Sequence, residues 1–250
     1  MGDPLRLYGL NALVLNAADG IGEATARTLV RHGANVVAVG AKNSGVEQHY
    51  ARIKGITGMS ASMTDPDGMP ALVENAVQSL GGIDILINDF PLRPEAPLDQ
   101  TDDRLQHLLK SRVALTMAIC RAAIPRMTKS PQGRIVNIGF LRSCFAATGD
   151  AASTYAEQDL ADMTRLLAAE AGEFGITVNY IQPGAVMTPQ SREVFKKDKA
   201  LRDYCIRSSA ARRLGEPVDV AKVALFLASD DAVFVSGTGI AVDGGRTKAG

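Results

Sequence analysis

The chain has 250 residues, 46% of them hydrophobic, with 27 Lys+Arg against 27 Asp+Glu. That is enough apolar material for one sizeable α/β core, and it leaves no net charge with which to attract nucleic acid or an anionic membrane. Three dispersed cysteines, Cys120, Cys144 and Cys205, form no disulfide framework and fit a reducing, cytoplasmic setting, while the opening Met1-Gly2-Asp3-Pro4-Leu5-Arg6 has no signal-peptide core and no apolar run approaches the roughly 18 residues of a bilayer span.

In chain order, the apolar run 11–15 predicts a strand, followed by Gly20-Ile21-Gly22 and a helical pattern to about Arg31. The β-branched run 35–39 predicts a second strand and 56–60 a short third. A helix over 67–80 and a strand over 83–87 come next, then a long helical stretch over 101–128 with Leu105, Leu108 and Leu109. Residues 134–138 predict a strand, 151–173 an Ala-rich helix, 176–181 a strand, 217–228 a helix and 240–243 a last strand. No repeat or Pro/Gly/Ser linker divides the chain, so residues 1–250 are expected to form one domain, with a small lid region at about 188–212.

Apolar strands alternating with helices predict an α/β fold of the Rossmann type. It is a doubly wound parallel sheet of about seven strands, with helices on both faces. Ligands of such sheets bind beyond the carboxyl ends of the strands, and that edge gathers residues 16–22, 40–42, 88–91, 139–143 and 183–188.

The stretch Ala12-Leu-Val-Leu-Asn-Ala-Ala-Asp-Gly-Ile-Gly22 resembles the glycine-rich turn of short-chain dehydrogenases/reductases. Further segments stand in that family's order: Ile83-Asp-Ile-Leu-Ile-Asn88, Gly133-Arg-Ile-Val-Asn-Ile138, Gly175-Ile-Thr-Val-Asn179 with Pro183-Gly184, Arg213-Leu-Gly-Glu-Pro217, Phe226-Leu-Ala-Ser229 and Val242-Asp-Gly-Gly245. The likeness runs from about residue 5 to residue 245. It implies NAD or NADP as cofactor, held by Asn16, Gly20, Ile21, Gly22 and Asn88, and a homotetramer or dimer built on the long Ala-rich helix and residues 234–245.

Position by position, the same resemblance exposes departures. The family's Thr-Gly opening is Leu15-Asn16. Asp19 stands where NADP-preferring members carry a base, and Gly40 where NAD-preferring members carry the ribose-binding Asp; Lys42 nearby could serve a phosphate, so neither cofactor is favoured. Ser62 replaces an adenine-binding Asp, and Asn88-Asp89-Phe90-Pro91 replaces Asn-Asn-Ala-Gly, so Phe90 and Pro91 are expected to intrude on the cofactor trough.

The family's hydride transfer uses a Tyr acid/base, a Lys that lowers its pKa, an orienting Ser and a relay Asn. A gapless register between Asn137 and Glu170 puts Phe140 at the Ser position, Ser153 at the Tyr position and Glu157 at the Lys position, and Arg112 falls at the relay Asn. A shifted register makes Tyr155 the acid with Asp159 at the Lys position, but it deletes two residues from a helix and turns Leu160, Met163 and Leu167 by roughly 200°. In both registers an acid replaces the amine, and an acid raises a phenol's pKa. Arg112 and Glu157 are expected to pair across neighbouring helices, and Phe90 and Phe140 to fill space that nicotinamide and ribose occupy in redox-active relatives.

Three readings follow. The first is a non-redox member of the family, a pseudoenzyme or a protein with a repurposed cleft. The second is an NAD(P)-dependent oxidoreductase working through Tyr155. The third is a cofactor-independent lyase similar to halohydrin dehalogenases, whose aromatic closing loop the segment Asn88-Asp89-Phe90 with Pro94 resembles, although Glu157 or Asp159 falls where their Arg belongs. His32, His49 and His107 have no metal-ligand spacing.

Overall fold

The computed structural model describes residues 7–90, 103–139 and 150–246. The described residues form seven strands: β1 (Asn11–Val14), β2 (Asn35–Gly40), β3 (Ile56–Ser60), β4 (Ile85–Asn88), β5 (Arg134–Ile138), β6 (Thr177–Pro183) and β7 (Gly239–Val242). They form one sheet in the order β3-β2-β1-β4-β5-β6-β7, and every pairing is parallel. The chain builds outward from β1 to β3, then returns and builds the other way from β4. The boundary between β1 and β4, where Ala12 stands beside Ile85 and Val14 beside Ile87, is therefore the switch point at which such sheets open a ligand crevice.

Alternate strand residues supply two cores because successive side chains point to opposite faces. Ala12, Val14, Val36, Ala38, Ile85, Ile87, Val136 and Ile138 pack with helices α1 (Gly20–Arg31) and α8 (Pro217–Ala228). Leu13, Leu15, Val37, Val39, Leu86, Ile135 and Val178 pack on the other face with α3 (Met69–Leu80), α4 (Asp103–Met127) and α5 (Asp150–Ala171). Burial on both faces explains why the strands read as apolar runs rather than as alternating ones. The apolar face expected on the Ala-rich helix is there: Leu160, Met163 and Leu167 are all buried.

Several boundaries differ from the sequence reading, for local reasons. The helix expected from residue 67 begins at Met69, because Pro66–Gly68 forms a 3-10 turn capped by the Asp65 carboxylate on the Asp67 amide. The strand expected at 83–87 runs from Ile85 to Asn88; Asp84 before it accepts from the Asn11 amide and the Ser130 hydroxyl. The periodicity gave no sign of α2 (Val46–Tyr50), a five-residue helix docked by its buried Val46 and Tyr50. The lid region contains α6 (Pro189–Lys197), capped by Thr188 and Ser191, and α7 (Lys199–Arg207), capped by Asp198. Among the described residues no helix is long and apolar enough to cross a membrane.

Candidate functional site at the switch-point crevice

The turn leaving β1 is fixed from several sides. The Leu15 amide donates to the Ile87 carbonyl at 3.0 Å and the Ala17 amide to that of Val39 at 2.8 Å. The Tyr50 hydroxyl donates to the Ala17 carbonyl at 2.5 Å, and burial pushes this phenol well above its usual range. Asn16 takes a left-handed φ of 52°, which Asn tolerates better than most side chains. Gly20, at φ 59°, also needs the left-handed region. A Cβ on Gly22 would strike the Asn16 carbonyl and come within 2.9 Å of the Ala17 Cα. Both glycines are thus required by the protein's own backbone, with or without a phosphate above them.

The crevice holds a polar cluster drawn from four elements. Asn16 Nδ2 reaches across the switch point and donates to Asp89 Oδ2 at 3.2 Å. Burial raises the Asp89 carboxyl to about 6, against the opposing pull of the Arg112 guanidinium and the Asn16 hydrogen bond, and Asp19 raises it further. Arg112, 4% exposed on α4, also draws down the carboxyl of Asp159 on α5, whose pKa burial nevertheless raises. The sequence reading gave Asp89 no role. Its only signal was a charged residue directly after a buried strand at the sheet's carboxyl edge.

Beneath the cluster, Asn88 is committed to the interior. Its Nδ2 donates to Asn137 Oδ1 at 2.9 Å and to the Cys120 sulfur at 3.3 Å, and Asn137 Nδ2 donates to the Thr164 hydroxyl at 3.2 Å. Cys120 is buried, which pushes its thiol up to about 12 and leaves it a packing group rather than a nucleophile. Phe90 is buried too, in the core formed with α3 and α4.

The rim is occupied by the chain itself. A Cβ on Gly20 would stand 3.5 Å from both Cβ and Cγ2 of Thr188, at the start of the lid. A Cβ on Gly40, at the end of β2, would strike the Ser44 hydroxyl and lie 2.8 Å from Val46 Cβ. Lys42 and Ser62 are exposed. A cavity of about 380 Å³ opens further along the edge, beyond β6 and β7; Cys205, Ser208 and Ser209 of the lid, Asp219, Val223 and residues 243–246 line it. Two basic residues of that region are engaged: Arg213 pairs with Asp219 at 2.8 Å and Arg212 donates to the Arg207 carbonyl.

Of the residues singled out by the sequence, Asn16, Gly20, Ile21, Gly22 and Asn88 do gather at the switch point, and Arg112 stands beside them. Phe140, Pro91 and Pro94 lie outside the described residues, and Ser153, Tyr155 and Glu157 sit on a stretch of α5 whose side chains also lie outside them. The expected pairing of Arg112 with Glu157 falls there as well. Among the described side chains, Asp89 and Asp159 are acids whose ionised forms Arg112 favours. The described residues contain no group of three metal-ligating side chains.

Comparison with known proteins places these features in a lineage. A family model described as enoyl-(acyl carrier protein) reductase matches residues 16–247. The oxidoreductase UcpA of Escherichia coli is 31% identical over 97% of this chain and 96% of its own length. Dehydrogenase/reductase SDR family member 4 of Pongo abelii is 32% identical over 94% of this chain and 86% of its own. The crystal structure of a protein described as an NAD(P)-dependent gluconate 5-dehydrogenase from Beutenbergia cavernae, with NADP bound at low occupancy, superposes with a TM-score of 0.82 at 29% identity, covering 97% of this chain and 98% of that one.

Proposed function

The chain belongs to the short-chain dehydrogenase/reductase family, and from that premise we propose that it is a member that no longer transfers hydride, a pseudoenzyme or a protein with a repurposed cleft. One observation carries this reading: a buried Arg112, whose charge acts on the carboxyls of both Asp89 and Asp159, occupies the position that the resemblance assigns to a relay asparagine. An amide side chain both accepts and donates hydrogen bonds, so it can position a relay water beside an amine, whereas a guanidinium only donates.

The crevice itself does not fit a dinucleotide. Asp89 sets negative charge at the switch point, Ser44 and Val46 fill the space over Gly40 where a ribose acceptor would project, and Thr188 stands over Gly20. The oxidoreductase reading through Tyr155 keeps the support of relatives named as oxidoreductases. The dispersed cysteines, two of them free and buried, support a cytoplasmic protein, and the family likeness of α5 and β7 supports a homodimer or homotetramer.

The test is a fluorescence titration of NADH and NADPH at pH 8, followed by a search for cofactor oxidation against a panel of small ketones. No saturation below millimolar cofactor and no oxidation are expected. Micromolar saturation with turnover that disappears in Tyr155→Phe would replace this reading with the oxidoreductase.

A further inference from the structure

The cavity of about 380 Å³ beyond β6 and β7 is separate from the switch-point crevice, because β5 stands between β6 and β4 in the sheet. Its walls are the ends of β6 and β7, the last turn of α7 and the start of α8. Val223 and Val242, which line it, pack against the core that α8 shares with α1. We propose that this cavity takes a small, neutral, polyhydroxylated molecule of the size of a hexose, and that its occupant pins the foot of the lid to the exit of β7.

The lining decides the class of guest. Arg213 and Arg246 stand against Asp219 and Asp243, so the charges of the walls balance. An anionic guest would meet the two carboxylates and a cationic one the two guanidiniums. A purely apolar guest would strip water from these groups, and from the Ser208 and Ser209 hydroxyls, without replacing its hydrogen bonds.

A polyol replaces them. Asp219 accepts from Arg213 Nη1 at 2.8 Å and from the Glu216 amide at 2.9 Å, both through Oδ2. Asp243 accepts from the Gly245 and Arg246 amides at 2.9 and 3.3 Å, both through Oδ1. The second oxygen of each carboxylate is left to accept from a hydroxyl. Ser209 Oγ donates to the Gly244 carbonyl at 3.3 Å and keeps its lone pairs for a guest. Val223 and Val242 offer the apolar contact that the C–H face of a sugar ring covers. The volume lies at the small end of the roughly 300–1,000 Å³ usual for ligand sites, which suits one such ring and not a dinucleotide.

The occupant would touch a joint that the chain has already begun to close. The Ala210 and Ala211 amides donate to the Gly245 and Gly244 carbonyls at 2.9 and 3.0 Å, and Ser209 bridges to Arg246. A guest in contact with both walls adds interactions that a lid lifted from β7 would lose, so binding and lid closure reinforce each other. The same segment starts at Thr188, which stands over Gly20, so the site can be felt at the crevice. It goes beyond the non-redox reading and holds whether or not the crevice transfers hydride.

Calorimetry and hydrogen-exchange mass spectrometry on the purified full chain test this, with D-glucose and myo-inositol as neutral probes and gluconate and glucosamine as charged counterparts. At least one neutral probe is expected to saturate below about 10 mM, about tenfold or more tighter than either charged compound. Exchange is expected to slow in residues 205–211 and 241–246 and to stay unchanged in the strands β1 to β5. Val223→Phe fills the cavity and should abolish binding, and Ser209→Ala should weaken it by about threefold or more.

No saturation by either neutral probe, equal binding of a charged counterpart, or slowed exchange spread evenly over the chain, as an excluded osmolyte produces, overturns the proposal. So does a folded Val223→Phe variant that binds as the wild type does. If Val223→Phe does not fold, Ser209→Ala decides, and unchanged binding there overturns the proposal.

Discussion

Asp89 is a single carboxyl with a measurable signature in stability. Its folded pKa of about 6 lies above the ordinary carboxylate value of 3.8, so the folded protein holds this proton more tightly than the unfolded chain. The Asp89 contribution to stability is therefore full below pH 4 and declines as pH rises through 6, by on the order of 2 kcal/mol once solvent screening of a partly buried group is allowed for. Urea unfolding of the wild type and Asp89→Asn at pH 4.5 and 7.5 checks this. The wild type should lose stability relative to the variant by about that amount between the two pH values. A difference that stays constant with pH would mean that the group titrates normally. The sequence showed an acid after the fourth strand, but not that its environment would hold its proton. That depends on burial by segments far away in the chain, which outweighs the pull of Arg112 and Asn16 and is aided by Asp19.

At the scale of elements, the short helix α2 shows how a turn can be supported without a ligand. Its buried Val46 fills the space over Gly40, and Tyr50 donates to the Ala17 carbonyl of the turn after β1. Gly40→Asp, which would restore the ribose-binding acid of NAD-preferring relatives, is therefore expected to collide with Ser44 and Val46. It should lower stability by about 1–3 kcal/mol, read as a fall in Tm, without improving NADH binding in a fluorescence titration. Improved NADH affinity at unchanged Tm would show that this end of the crevice is open. The long strands and helices were legible from their apolar runs and 3.6-residue periodicity. A five-residue helix is too short to show either, and its fold comes from contacts with β2 and β3.

At the scale of the whole molecule, some of the large exposed apolar side chains among the described residues lie on α5 and just before β7. Phe234 is fully exposed and Val233 66% exposed just before β7, and Leu166 on α5 is 51% exposed. A fully exposed Phe beside an edge strand is costly for a monomer to carry. Phe234→Ser is expected to shift the mass seen by light scattering at micromolar protein to a smaller species, with far-ultraviolet circular dichroism unchanged. A wild type that is already monomeric would refute this.

What the sequence determined by itself was the alternation of buried strands and helices, hence the doubly wound sheet, and the identities at the family's site positions, because periodicity and residue type are local properties that survive without coordinates. What only the tertiary structure decided was which of those residues meet. The bridge from Asn16 to Asp89 joins residues 73 positions apart, and the carboxylates that share Arg112 come from β4's end and from α5. Such contacts are set by the order in which strands are laid into the sheet and by how deeply their ends are desolvated, and neither quantity can be read from any single stretch of chain.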